Sequence, residues 1–158
     1  MRFAVEVPVR WSDMDAYGHV NHARTVTLLE EARTELLFNE MPRRGLGQVS
    51  NGIVVYRLSV DYLAPIMHGV GPVFVDMWVT DVRAASFVLH YSVRGGDDRR
   101  PLATASTTMV PYDFAAGRPR RLSRNEQAFL MLWTDSASDD TSDTPDALDA
   151  LDEDAASA

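Results

Sequence analysis

The 158-residue chain predicts an α+β domain in which a curved antiparallel β-sheet wraps around one long central α-helix. Three observations carry this. Five stretches alternate apolar and polar residues with a period of two. One stretch alone shows the helical period. The links between later strands are too short for parallel crossovers, which need a dozen residues or more.

The elements follow in order. Residues 2–11 alternate, with Phe3, Val5, Val7, Val9 and Trp11 on one face and Arg2, Glu6 and Arg10 on the other, as in a half-buried strand. From Asn21 to Glu40 the period changes. Val26, Leu29, Ala32 and Leu36 make a stripe flanked by Leu28 and Leu37, with Asn21 as N-cap and Pro42 and Gly45 as the stop. Alternation then returns. Val54, Tyr56, Leu58, Val60 and Tyr62 form one row, Val73 to Val79 a second, and Phe87 to Val93 a third that ends at Gly95-Gly96-Asp97-Asp98. Residues 102–110 form a fifth strand, stopped by Pro111. A short helix over 123–132 opens on the capping box Ser123/Glu126. One sheet that buries one helix leaves open edges and an unfinished core, so joining of sheets in a dimer, or a dimer of dimers, is expected.

Composition divides the chain at residue 133. The formal charge of −8 is concentrated in residues 134–158, which hold 9 of the 23 acidic residues and none of the 15 basic ones. The body (14 acidic, 15 basic) is close to neutral. The segment 134–158 is expected to be a disordered acidic tail, with a weak helix over Ala147–Leu151 at most. The absence of Cys excludes a disulfide framework, a thiol nucleophile and Cys-ligated zinc. All 15 basic residues are Arg, which removes Lys chemistry. With no signal-peptide core and no apolar run of spanning length, a cytoplasmic protein without membrane association is expected. There is no sustained basic patch, so nucleic acid is not an expected partner.

The chemistry concentrates in residues 10–22, Arg-Trp-Ser-Asp-Met-Asp-Ala-Tyr-Gly-His-Val-Asn-His. Two carboxylates, two imidazoles and a carboxamide lie between a strand and a helix N-terminus, whose free N–H groups can hold developing negative charge. The arrangement fits acyl transfer from a thioester. The N–H groups of His22 and Ala23 would face the thioester oxygen, and a carboxylate would attack the carbonyl or deprotonate a water. Each residue also has a plainer role. Asp15 suits a turn, Asp13 a loop cap or a partner for Arg10, Asn21 a helix cap, and His19 a structural or a basic imidazole. Asp13, Asp15, His19 and His22 have the chemistry of metal ligands, but no helical ligand pair supports a cage, and no metal is expected. Arg83 and Ser86, at a turn between strands, are the foremost candidates for coenzyme A phosphates.

Trp11-Ser12-Asp13-Met14-Asp15, Gly18-His19-Val20-Asn21 and Glu30-Glu31-Ala32-Arg33, with Tyr62-Leu63-Ala64-Pro65 further on, resemble the acyl-CoA thioesterases of the hotdog fold, nearest to the 4-hydroxybenzoyl-CoA thioesterase-like branch. The resemblance covers roughly residues 3–131. It implies that Asp15 is the catalytic carboxylate and that His22 contributes its backbone N–H. Acyl-acyl-carrier-protein thioesterases of plants carry Asp-x-Asn-x-His-Val-Asn-Asn. Asp15 and His19 match that pattern, while Tyr17 and His22 replace its first and last Asn. The hydroxybenzoyl branch usually has an apolar residue where His19 stands. The expected activity is hydrolysis of an acyl-CoA to a free acid and coenzyme A, with no cofactor beyond the coenzyme A of the substrate. The alternatives are an acyl-thioester binding module, a hotdog hydratase, or a thioesterase acting on acyl-carrier protein.

Overall fold

The computed structural model describes residues 1–46, 52–69, 71–95 and 100–135. The acidic segment from 136 onward and the turn residues 96–99 lie outside the described residues. β1 (Phe3–Val7) leads through a 3-10 turn (Trp11–Asp13) into α1 (His22–Thr34), which continues through a π-helical turn (Glu35–Glu40) into α2 (Met41–Arg43). Four long strands follow: β2 (Ile53–Tyr62), β3 (Val73–Thr80), β4 (Phe87–Gly95) and β5 (Pro101–Asp113). A two-residue β6 (Arg118–Pro119) and α3 (Arg124–Leu132) close the body.

The sheet order is β1-β3-β4-β5-β2, and all its pairs are antiparallel. The expected rows Val73–Val79 and Phe87–Val93 face inward and are buried, as are Ala103, Ala105, Thr107 and Met109 on β5. The helix covers them with Leu28, Leu29, Ala32, Leu36 and Leu37. Thr25 is buried, whereas Val26, assigned to the stripe by its polarity, is only half-buried. Among the described residues no helix is long and apolar enough to cross a membrane.

Three expectations are corrected. Trp11 leaves the β1 row and stands 80% exposed on the 3-10 turn, because Asp13 draws the chain into a turn by accepting from Arg10 N at 2.8 Å. In β2 a bulge between Val55 and Arg57 breaks the pairing and disturbs the alternating row, leaving Tyr56 74% exposed. Pro111 does not end β5: it is buried opposite Ile53, and its carbonyl accepts from Arg120 N at 3.0 Å as the strand goes on to pair with β6. The helix, by contrast, stops where Pro42 to Gly45 were expected to stop it: α2 closes at Arg43, and Gly45 follows the Arg44 cap at φ +71°. Pro42 itself stands inside this last turn, and the wider π turn precedes it where its missing N–H and bulky ring would disturb a regular α ladder.

The C-terminal end of the body is stitched to the N-terminus. Val79 N donates to Trp133 O at 2.9 Å, the α-ammonium of Met1 to Thr134 O at 2.7 Å, and Arg2 pairs with Asp135 at 2.8 Å. Thr134 and Asp135, expected in the tail, are therefore fixed to the body.

Candidate active site

Register places the 10–22 segment at one end of the sheet. Val7 pairs with Val73, Val73 with Gly95, and Ala103 with Tyr62, so the loop after β1 meets the end of β2, the starts of β3 and β5, and the first turn of α1. Met14 and Val20 form a bridge that closes residues 15–19 into a tight turn. Within it Asp15 N donates to His19 O at 2.8 Å and Gly18 N to Asp15 O at 3.2 Å. Gly18 has φ +79°, a conformation that a residue bearing a Cβ resists, so the turn depends on glycine there. The turn is then pinned to the chain after β2 by Val20 N to Ile66 O at 2.8 Å and by a bridge from His19 to Met67.

This turn holds the Asp15 carboxylate. Its Oδ1 accepts from Tyr17 N at 2.8 Å and from His19 N at 3.3 Å. Among the described residues nothing donates to Oδ2, and the residue is half-buried. Asp13 differs: it is 3% exposed, with Oδ2 held by Arg10 N, and Asn21 N donates to its carbonyl at 2.9 Å. Asp13 secures the loop, and Asp15 is the carboxylate with free valence.

Asn21 caps α1, accepting from Ala23 N at 2.9 Å. That occupies the Ala23 N–H, one of the two groups expected to face the thioester. The His22 N–H, at the first helical position, has no acceptor within the helix. The His22 ring is exposed and lies edge-on to Tyr62, centroids 6.4 Å apart, while the Tyr62 hydroxyl donates to His22 O at 3.0 Å. His19 is half-buried, and its ring makes no hydrogen bond or ion pair with any described residue.

An open cleft of about 400 Å³ collects these groups. Asp15, His19, His22 and Thr25 line it on the helix side, and Tyr62 to Ile66 with Leu102 and Ala103 on the sheet side. A second, larger depression of about 730 Å³ adjoins Asp15 on its other flank, between Trp11, Ser12, Met14, Gly18 and His68. Asp15 thus stands between two open depressions and lines both. Tyr62, Thr25 and Ala103 were not singled out from the sequence as site residues. The Tyr62-Leu63-Ala64-Pro65 motif is the signal that could have found the first.

Arg83 and Ser86 are not brought to this cleft. Arg83 N donates to Ser86 O at 2.8 Å in the turn from β3 to β4, at the opposite end of the sheet. The eight residues of β3 separate that turn from the site end, roughly 25 Å of strand. Among the described residues, no three His, Asp or Glu side chains converge as a metal-ligand set.

A family model described as the thioesterase-like superfamily matches residues 9–150. No curated protein matches the chain. Among solved structures, a thioesterase from Thermus thermophilus complexed with coenzyme A and Zn is 27% identical, with a TM-score of 0.65, covering 82% of this chain and 92% of that one. PA2801 of Pseudomonas aeruginosa, a candidate thioesterase, is 28% identical with a TM-score of 0.69, covering 79% and 95%. Slr0204, a 1,4-dihydroxy-2-naphthoyl-CoA thioesterase from Synechocystis, is 21% identical and shares the fold, with a TM-score of 0.71 over 83% and 96%. The sheet curled around a single helix is the hotdog fold that the sequence resemblance implied.

Proposed function

The chain belongs to the thioesterase-like superfamily and is a thioester hydrolase; on that premise we propose that it hydrolyses acyl-coenzyme A in the cleft beside Asp15. The observation that carries this reading is the Asp15 carboxylate, fixed through Oδ1 by two backbone N–H groups and left open at Oδ2, on the rim of a cleft that also holds the start of α1. The coenzyme A seen in the Thermus thermophilus thioesterase supports the choice of carrier.

In the proposed reaction the thioester carbonyl lies against the His22 N–H. Asp15 Oδ2 takes a proton from a water, whose oxygen attacks the carbonyl carbon. The negative charge that develops on the carbonyl oxygen is held by the His22 N–H, at the positive end of the helix. The C–S bond then breaks and the thiolate leaves. A thiolate is a good leaving group, so no strong acid is needed behind it. Asn21 acts here through the helix cap, and His19 forms the wall next to the carboxylate. The site works without a metal, and activity should survive EDTA unchanged.

The test is thiol release from a panel of acyl-CoAs by the purified full-length chain and by Asp15→Asn. Wild-type turnover with loss in the folded variant is the expected result. A single turnover in ¹⁸O-water then separates the water route from direct attack. Label in Asp15 means that the carboxylate itself attacked and water then opened the anhydride at the Asp15 carbonyl, whereas label only in the released acid, with no acyl-enzyme mass on rapid quenching, supports the water route.

Assembly belongs to the same reading. β2 is an edge strand with Val55 45% and Tyr56 74% exposed, and the cleft lies at its end. We propose a dimer, or a dimer of dimers, that covers this edge. Arg83 and Ser86 could then meet coenzyme A phosphates only across a subunit boundary. Sedimentation at micromolar concentration that finds an active monomer would overturn both points.

A further inference from the structure

The fold gathers arginines at the end of the sheet opposite the cleft. Leu122 N donates to Ala84 O at 2.8 Å, which ties the turn between β3 and β4 to the chain between β6 and α3. Arg83 on the turn, and Arg118, Arg121 and Arg124 on the other segment, are all exposed. None of the four makes an ion pair among the described residues. Arginines elsewhere are mostly paired, as Arg10 is with Glu31 and Arg94 with Asp76, and Arg120 is committed to Glu126. Asp81 is the one carboxylate on segments 81–86 and 117–124. Asp113, opposite Arg118 in the β5–β6 register, accepts instead from Ala115 N and Ala116 N at 2.9 Å. The surface is left with positive charge that the body does not balance.

The complementary charge lies on this same chain and leaves the body at this same end. Val79, where β3 runs toward the turn, bridges to Thr134, and Asp135 is fixed by Arg2. Beyond it, residues 136–158 hold eight carboxylates and no basic group. The nine residues of α3, roughly 14 Å, separate this exit from Arg124. Ten residues of extended chain cover roughly 33 Å, so the acidic segment reaches the whole surface. The spacing matches as well. Asp140, Asp143, Asp146, Asp149 and Asp152 recur at every third residue, and so do Arg118, Arg121 and Arg124. Three residues of extended chain span roughly 10 Å, so the two rows can run alongside each other in step. Tethering makes the encounter intramolecular, at an effective concentration of about a millimolar, where several weak exposed pairs acting together hold a segment. Each guanidinium adds a fork of donors that fits a carboxylate.

We infer that the acidic segment 136–158 docks on this arginine surface of its own chain, with the row Asp140 to Asp152 against Arg118, Arg121 and Arg124. The contact shields these arginines from other polyanions and leaves the cleft, at the other end of the sheet, open.

The chain has no Cys, so Ala147→Cys carries a single nitroxide label on the full-length protein. At about 0.15 M salt the label should broaden the backbone amides of residues 83–86 and 118–124 and spare those of Tyr62 and Leu63 at the cleft. In about 1 M salt, where the screening length is about 3 Å, the broadening should vanish. It should vanish too in Arg118→Gln/Arg121→Gln/Arg124→Gln, which removes charge from exposed side chains without breaking an ion pair and so keeps the fold. Asp140→Asn/Asp143→Asn/Asp146→Asn/Asp149→Asn/Asp152→Asn keeps the length of the segment and should give the same loss. Broadening confined to the residues around Asp135, or unchanged in the arginine variant, overturns the inference. So does broadening that appears only when the isotope-labelled copy lacks the nitroxide and its neighbour carries it, since that places the segment on another copy.

Discussion

Two buried or half-buried carboxylates, at opposite ends of the sheet, show how the same group becomes structure in one place and chemistry in another. Glu126, in the first turn of α3, is 2% exposed and fully engaged. Both of its oxygens accept from Arg120 at 2.8 Å, and Oε2 also accepts from Ser123 N at 2.7 Å. Arg120 extends the lock by donating to Gly52 O at 3.2 Å. Asp15 is likewise held by backbone N–H groups, but only through one oxygen, and it borders a cleft. The saturated carboxylate fixes α3 over the far end of the core. The half-saturated one is oriented yet free to accept a proton.

The sharpest way to break this comparison is to neutralise each carboxylate in turn. Asp15→Asn keeps the shape and the Oδ1 contacts but cannot take a proton at neutral pH. It should cost about 10²–10⁴ in kcat, the range for loss of a positioned base, with no loss in Tm. Near-wild-type thiol release by folded Asp15→Asn would show that the free oxygen has no catalytic use.

Glu126→Gln should do the reverse. It leaves Arg120 facing a neutral amide in a site with little water and should destabilise the fold by about 3 kcal/mol, the low end for a broken buried pair. Turnover per folded molecule should hold. Burial pushes the Glu126 carboxyl up, but the Arg120 guanidinium together with the Ser123 N–H and hydroxyl outweigh it, and the net pKa lies below the usual carboxylate value of 4.5. A carboxyl whose pKa is lower in the folded chain contributes stability above its unfolded value and loses it as pH falls through the folded one. Denaturant midpoints of the wild type should therefore drop below about pH 4.5, and those of Glu126→Gln should drop less. Parallel profiles would mean that Glu126 is not what anchors this end.

Tyr62→Phe probes the tether between the two strand ends and the site. It removes the donor to His22 O, a half-exposed hydrogen bond worth about 0.5–1.5 kcal/mol. Stability should fall within that range, and KM should rise more than kcat falls, since the helix start loses a positioning contact but keeps its N–H. A variant that loses kcat alone would give Tyr62 a direct part in the reaction.

The sequence made legible those elements whose burial follows a simple period. Val73–Val79 and Phe87–Val93 are buried as their alternation demands, and the Asn21 cap and the Ser123/Glu126 box form as their residue types dictate. It failed where a long-range contact overrides a local rule. The Tyr56 row is broken by a bulge that exists only against β5. Pro111 sits inside a strand because β6 comes alongside. Trp11 is a miss of another kind, a local one: Asp13 captures the N–H of Arg10, three residues before it, and turns the chain out of the strand. At the site, the motif pointed to Asp15 and Asn21 but could not show that the Asn21 amide occupies the Ala23 N–H. Nor could it show that Tyr91 of β4 stands opposite Ala105 of β5, fully buried. Pairing of that kind is set by register, which no single segment encodes.

The smallest effect is expected at the boundary between the body and the acidic segment, and here two cuts are more informative than one. A chain ending at Trp133 loses Thr134 O, which accepts from the Met1 ammonium, and Asp135, which pairs with Arg2. A chain ending at Asp135 keeps both. The Arg2 side chain is 48% exposed, so its ion pair is worth about 0–1 kcal/mol, and the two cuts should differ by little more than that in stability. Both should turn over substrate with the kcat of the full chain. The residues removed by the longer-retained cut carry 8 of the 9 acidic groups of segment 134–158. Their repulsion of coenzyme A phosphates is screened over about 8 Å at physiological salt, so any fall in KM should show only at low salt. The family match continues to residue 150, past this cut. A loss of kcat in the chain ending at Asp135, with its fold intact, would give the last matched residues a part in the site and place a third acidic region beside the two compared above.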